Sequence, residues 1–409
     1  VTARLIGLDN VPHLLRQCER LFLQGTSGEP LALHAVADVR GDAFSHLSAL
    51  TSFVAGLNRF DGAAMRAVRG VAGFFPAGPG GPEVYRQIVA TYSGVGGEID
   101  RFAPDIVFVP VSLPDSSGRV STGLCAEFYD VAMASASCRV AVMCTDLPTL
   151  PGGFTFDLEA FTHIVRDDRT PPAWPEGTAA PDQVTDAITL HVASLVGDGS
   201  ALQTGIGKIP AGVFAHLAKR RRLRLHSGLL SDPLRALVES GAVDRSAPIC
   251  CATLVGSHGF QRWLHERSDI VLRPISYTHA FSTLSAIDGF IAVNSALEID
   301  LFGQVNVEKV NGRHVSACGG LPDFAAAAHR SRGGLSIIAL PSTGNGRSRI
   351  VPRLAPDVPV SVAGHDVDAV VTEYGVADLR GKDAEARALA IIRVAAPGAR
   401  RALQAALGA

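Results

Sequence analysis

Two stretches of the chain place glycines and a proline where a strand hands over to a helix, a position from which backbone amides can hold a developing negative charge. The first is Leu202-Gln203-Thr204-Gly205-Ile206-Gly207-Lys208-Ile209-Pro210, and the second is Cys318-Gly319-Gly320-Leu321-Pro322-Asp323-Phe324. Lacking Cβ, glycine lets the main chain approach a ligand, and the unpaired N–H groups of the following helix add a positive dipole end. The first stretch is not a dinucleotide fingerprint. Its third glycine is absent, and Lys219 to Arg224 stands where an acidic residue should follow. A plain strand-to-helix turn satisfies the first stretch equally, and a helix cap by Asp323 with tight packing at the glycines satisfies the second.

Between them lies Leu225-His226-Ser227-Gly228-Leu229-Leu230-Ser231-Asp232. His226 and Ser227 invite a nucleophile–base reading, but neighbours on a strand project to opposite faces, so His226 is expected as a polar wall of the site. Glu29, in Gly28-Glu29-Pro30, sits at another strand-to-helix junction expected to face a cleft. It is the candidate general base for activating water. Its plainer role is to complement a helix N-terminus. The cations of Lys219 to Arg224 close the helix opened near Pro210, where they complement its negative end in solvent. The histidines show no metal-ligand spacing and no CxxC pair occurs, so no metal is expected.

Taken together and in order, these segments resemble the acetyl-CoA hydrolase/transferase family, of which 4-hydroxybutyrate and acetate CoA-transferases are typical. Gly28-Glu29-Pro30, Val111-Ser112-Leu113-Pro114-Asp115, Asn294 to Val305, Ser348-Arg349-Ile350-Val351-Pro352 and Thr372 to Lys382 extend the resemblance over nearly the whole chain. It implies two similar open α/β domains, an active site between them, and CoA esters with small carboxylates as substrates. It also implies that coenzyme A is substrate or product, that no cofactor is covalently bound, and that the protein is a homodimer. The amide of Ile206 is implied as one half of an oxyanion hole and Gly319 or Gly320 as the other. Gly205, Gly207 and Lys208 would line the CoA turn, and Arg349 would contact a phosphate. The basic run at Lys219 to Arg224 is a rival clamp for the CoA phosphates. In the family the second segment reads roughly Ile-His-Thr-Glu-Met-Phe-Ser-Asp, and its glutamate forms the acyl and CoA intermediates. Here that position is Gly228, which carries no carboxylate.

The implied activity is chemistry on a CoA thioester: CoA transfer to a carboxylate, or hydrolysis where the glutamate is missing. The alternatives are an enzyme that stabilises an enolate to act on a carbon–carbon or carbon–oxygen bond, and a non-catalytic acyl-CoA binding protein.

The elements that must position these groups read as alternating α/β. Asp105 to Val111, Arg139 to Cys144, Ser336 to Leu340 and Ala369 to Thr372 are continuous apolar runs, as expected of parallel strands covered on both faces. The chain has 409 residues, more than one core usually serves. The proline-rich stretch Arg166 to Asp182 predicts the division, giving an N-terminal domain over 1–183 and a C-terminal domain over 184–409 that carries the main turns. Leu23 to Pro30 echoes Leu202 to Pro210, which suggests a weak internal duplication. A formal net charge of −2 gives no electrostatic reason to expect nucleic acid or an anionic membrane as partner. Seven irregularly spaced cysteines predict free thiols and, with no signal-like start at Val1 to Leu5 and no spanning apolar run, a cytoplasmic protein.

Overall fold

The computed structural model describes residues 3–78, 81–169, 173–174, 182–205, 207–265 and 267–408. The chain divides into two compact units: one holds residues 1–175 and 250–277, the other 176–249 and 278–409. The cut at 175 falls inside the proline-rich stretch picked out by sequence. The second division is a correction, because 250–277 leaves the expected 184–409 block. Its reason is main-chain pairing and packing. Cys125 bridges to Thr253 and Gly152 to Val271, and Ala252 and Ile275 are part of the first unit's core.

The first unit is built on eight strands in the order Arg4–Ile6, His163–Arg166, Cys138–Met143, Ile106–Val111, Arg20–Leu23, Ser48–Thr51, Gly70–Gly73, Tyr85–Gln87. Every pairing in this sheet is parallel. The continuous hydrophobicity of Ile106–Val111 follows from its two covered faces. Ile106 and Phe108 enter one core with Leu21 and Leu23, whereas Val107, Val109 and Val111 enter the other with Phe22 and Leu50. Successive residues alternate between cores because the side-chain period of a strand is two. Helix Leu31–Arg40 covers the first face through Leu33 and Val36, and Tyr92–Phe102 covers the second through Val95 and Ile99.

In the second unit Arg224–Leu230, Ala201–Thr204, Phe290–Ser295, Leu335–Ala339, Ala369–Thr372 and Gly375–Asp378 lie side by side in that order. All are parallel except the final hairpin pair. Phe290 and Ala292 pack beneath helix Leu321–Arg330 through Phe324, Ala327 and Ala328. Ile338 and Val370 enter a separate core with Ile391.

The echo between the halves has a topological meaning. In the first unit strand order runs outward in both directions from the neighbours Arg20–Leu23 and Ile106–Val111, except that Arg4–Ile6 adds at the edge beyond His163–Arg166. In the second it does so from Ala201–Thr204 and Phe290–Ser295. A ligand crevice in an open α/β sheet lies at the carboxyl ends of the strands at such a reversal. Both glycine-bearing turns after these strands, at Gly25 and Gly205, sit at that place.

Candidate active site of the second unit

Strand Ala201–Thr204 is fully buried and ends where Gly205 begins the exposed turn. Gly207 closes that turn at φ 114° and ψ −169°, a conformation that requires glycine, and helix Lys208–Leu217 follows. Pro210 is the third residue of the helix, still in the first turn, where no intrahelical N–H bond is lost. Gly205 and Lys208 are exposed. Ile206 lies outside the described residues. Across the strand reversal, Asn294 Nδ2 donates to Gln203 Oε1 at 2.9 Å and Gln203 Nε2 to Asn294 Oδ1 at 3.3 Å. This amide pair ties together the two strand ends that flank the crevice. It is a site feature the sequence reading missed, since nothing local in Gln203 or Asn294 announces the other.

Helix Leu321–Arg330 crosses back between the parallel strands Phe290–Ser295 and Leu335–Ala339, so its N-terminus also faces the carboxyl edge. Gly319 is left-handed at φ 55°, and Gly320 is the N-cap residue, with no side-chain cap. Asp323 stands in the first turn rather than at the cap, which corrects the capping role expected of it.

On strand Arg224–Leu230, His226 is buried and its Nε2 donates to the Thr278 carbonyl at 2.9 Å. Burial holds its imidazole below the ordinary histidine range, against the opposing effect of that bond. Ser227 Oγ is 2.8 Å from the Thr204 carbonyl and 3.1 Å from that of Leu229. Its hydroxyl is thus spent on the main chain, and His226 and Ser227 form no nucleophile–base pair.

Gly228 follows on the His226 face. A Cβ there would lie 2.8 Å from His279 Cε1 and 3.0 Å from His279 Nε2; one at Gly320 would lie 2.4 Å from the same Nε2 and 3.0 Å from Phe324 Cε2. The His279 ring is 2% exposed. Its Nδ1 is 3.0 Å from Thr278 Oγ1, and its centroid is 4.5 Å from that of Phe324. Burial, with a smaller contribution from His226, pushes its pKa down to about 3, so the ring is neutral at physiological pH. His226, Gly228, His279, Gly320 and Phe324 therefore share one packed pocket wall. His279 was not singled out by sequence reading, because a lone histidine 51 positions from Gly228 carries no local signal.

The other candidates are held elsewhere. Arg349 lies with its guanidinium against Gly344, whose added Cβ would be 2.4 Å from Nε. Glu298 accepts from Asn306 Nδ2 at 3.2 Å. Glu373 accepts from Ser342 N at 2.8 Å and from Ser342 Oγ at 2.6 Å. Asp378 and Arg380 pair with each other at 2.9 Å, each side chain about half exposed. Arg220 and Arg224 donate to the carbonyls of Ala193 and Gly199. Because Arg224 begins the strand paired in parallel with Ala201, this cluster marks the amino edge of the sheet, opposite to the Gly205 turn. In the first unit, Glu29 is 3% exposed and both carboxylate oxygens are engaged. Oε1 meets His34 Nε2 at 2.9 Å, Oε2 accepts from Asn58 Nδ2 at 2.9 Å, and the Arg59 amide donates to Oε1 at 3.2 Å.

Residues 256–407 match the profile of the acetyl-CoA hydrolase/transferase C-terminal domain. The 4-hydroxybutyrate coenzyme A transferase of Clostridium kluyveri is 32% identical over 311 residues, which are 74% of this chain and 72% of that protein. The chain belongs to the acetyl-CoA hydrolase/transferase family. RipA from Yersinia pestis shares the family fold at a TM-score of 0.89 and 26% identity, over 99% of this chain and 97% of that one. An acetyl-CoA hydrolase of Candida albicans is 32% identical over 204 residues, 47% of this chain and 37% of that protein. The protein is thus an enzyme of the acetyl-CoA hydrolase/transferase family, supporting acyl-CoA transfer or hydrolysis. Among the described residues no group of three or more His, Cys, Asp or Glu side chains is placed to hold a metal ion. No helix among them is long and apolar enough to cross a membrane.

Proposed function

We propose that this family member hydrolyses acyl-CoA thioesters at the carboxyl edge of the second unit's sheet and does not pass CoA through a covalent carboxylate. The observation that carries this reading is the pocket wall at Gly228. The residue standing where the family's glutamate is expected has no side chain, and His279 occupies the room one would take. The carboxylates Glu298 and Glu373 are hydrogen-bonded to Asn306 and Ser342, which argues against a relocated nucleophile.

In this reading water adds to the thioester carbon, the C–S bond breaks, and the proton lost by water ends on the departing thiol. The carbonyl oxygen becomes negative in between. The amides of Ile206 and of Gly319 or Gly320 are its assigned donors, a contribution of about 3–4 kcal/mol per donor where such groups have been removed in other enzymes. Gly205, Gly207 and Lys208 would receive the CoA thiol arm, and Arg349 a phosphate. His226, bonded through Nε2 to the main chain, serves as a wall. Glu29 anchors the first unit's turn, since three donors already hold it. A homodimer in a reducing cytoplasm completes the reading, supported by the family resemblance and by seven free cysteines.

Free-thiol release from a panel of acyl-CoAs, with and without added acetate, is the test. Release that does not depend on acetate is expected. Acetate-dependent formation of acetyl-CoA from the other acyl-CoAs, with no thiol released, would restore CoA transfer.

A further inference from the structure

Resting on the reading just given, we infer that His279 is the residue that decides between hydrolysis and CoA transfer here, by occupying the space into which a side chain at residue 228 would project. The two glycines and the histidine are one packing unit. Gly228 approaches the ring at Cε1, and Gly320 approaches it at Nε2. A contact of 2.8 Å is closer than real Cβ atoms tolerate, so any residue larger than glycine at 228 must displace the imidazole. The ring has little freedom to yield. Thr278 Oγ1 faces its Nδ1 at 3.0 Å, the Phe324 ring lies across it, and the Gly320 main chain backs it. Thr278 is itself fully buried, and its carbonyl is bonded to His226. The wall is therefore braced from the strand bearing Gly228 through Thr278 to the imidazole.

Hydrolysis follows from this packing in a simple way. A transferase needs a carboxylate oxygen at the thioester carbon, so that CoA thiolate leaves as the mixed anhydride forms and then returns to the glutamyl carbonyl, releasing the acyl carboxylate. With the histidine in place no side chain at 228 can present that oxygen, and water is the nucleophile left. Placing glutamate at 228 does not by itself restore transfer, because the new side chain has no pocket to enter. The histidine must be reduced as well.

The experiment compares Gly228→Glu, His279→Ala and the double variant with the unmodified enzyme, each checked for a cooperative thermal transition and for CoA binding by calorimetry. Each is incubated with butyryl-CoA, trapped with hydroxylamine or borohydride so that the peptide bearing residue 228 can be weighed, and assayed with added acetate for the acetyl-CoA formed. The expected result is no modification in Gly228→Glu and a glutamyl adduct with acetate-dependent transfer in the double variant. Equal adduct in the single and double variants would overturn the inference, as would a folded, CoA-binding double variant that forms none. Acetate-independent thiol release by the unmodified enzyme reports separately on the hydrolytic reading, so that reading can stand when the His279 assignment falls. Should the glutamate variants not fold, Gly228→Ala supplies the answer. Its melting temperature must fall in the His279 background and recover relative to His279→Ala in the double alanine variant. An equal fall in both backgrounds refutes the coupled packing.

Discussion

Glu127 is 2% exposed and receives a hydrogen bond from Gln24 Nε2 at 2.5 Å, and burial pushes its pKa up to about 8. An unfolded glutamate ionises near 4.5, so between these values the folded state holds a proton the unfolded state has lost. The stability this group supports is complete below 4.5 and declines as pH rises towards 8. His279 has the opposite sign. Its folded pKa of about 3 lies below the ordinary 6.5, so its contribution is complete above 6.5 and declines as pH falls towards 3. Melting temperatures measured across pH should therefore lose part of their decline between pH 4.5 and 8 in Glu127→Gln and part of their rise between pH 3 and 6.5 in His279→Ala. Unchanged slopes would mean that neither group is sealed from water as described. Ser227→Ala is a different kind of change. It removes a hydroxyl bonded only to main-chain carbonyls, so about 1 kcal/mol of stability should be lost in urea denaturation, with thiol release per folded molecule maintained.

The turn after Ala201–Thr204 allows a comparison between two of its own glycines. An added Cβ meets nothing within 4 Å at Gly205 or at Gly207, yet only Gly207 has a left-handed φ. Gly207→Ala should cost about 1–2 kcal/mol through backbone conformation alone, whereas Gly205→Ala should be tolerated in urea denaturation. Elements of this sort were readable from the sequence. The apolar runs became parallel strands because both faces are covered, and the glycine-proline signals became turns because φ and the missing N–H are local properties. What escaped the sequence depends on contacts between distant residues. The room at Gly228 is controlled by His279, and Gln203 needs Asn294 to become half of an amide pair. Glu29 illustrates the same limit. Its place at a strand-to-helix turn was legible, but the three donors that hold it come from His34, Asn58 and Arg59, and only the fold brings those to it.

At the scale of the molecule, the first unit is not a contiguous piece of chain. Residues 1–175 alone lack Ala252 and Ile275 from one core. They also lack Thr253, whose hydroxyl lies 3.1 Å from Thr26 Oγ1 and 2.9 Å from Ser27 Oγ. A fragment of residues 1–175 should accordingly unfold at lower urea concentration and less cooperatively than a fusion of 1–175 to 250–277, and equal midpoints would show the insert to be dispensable. The same division gives the protein a schedule during its synthesis. A ribosome finishes residue 175 with the core still open at Ala252 and Ile275. It must then add the 74 residues of 176–249 before the closing segment emerges. The amino-terminal sheet waits, with apolar side chains accessible to chaperones, until about two-thirds of the 409 residues have been made.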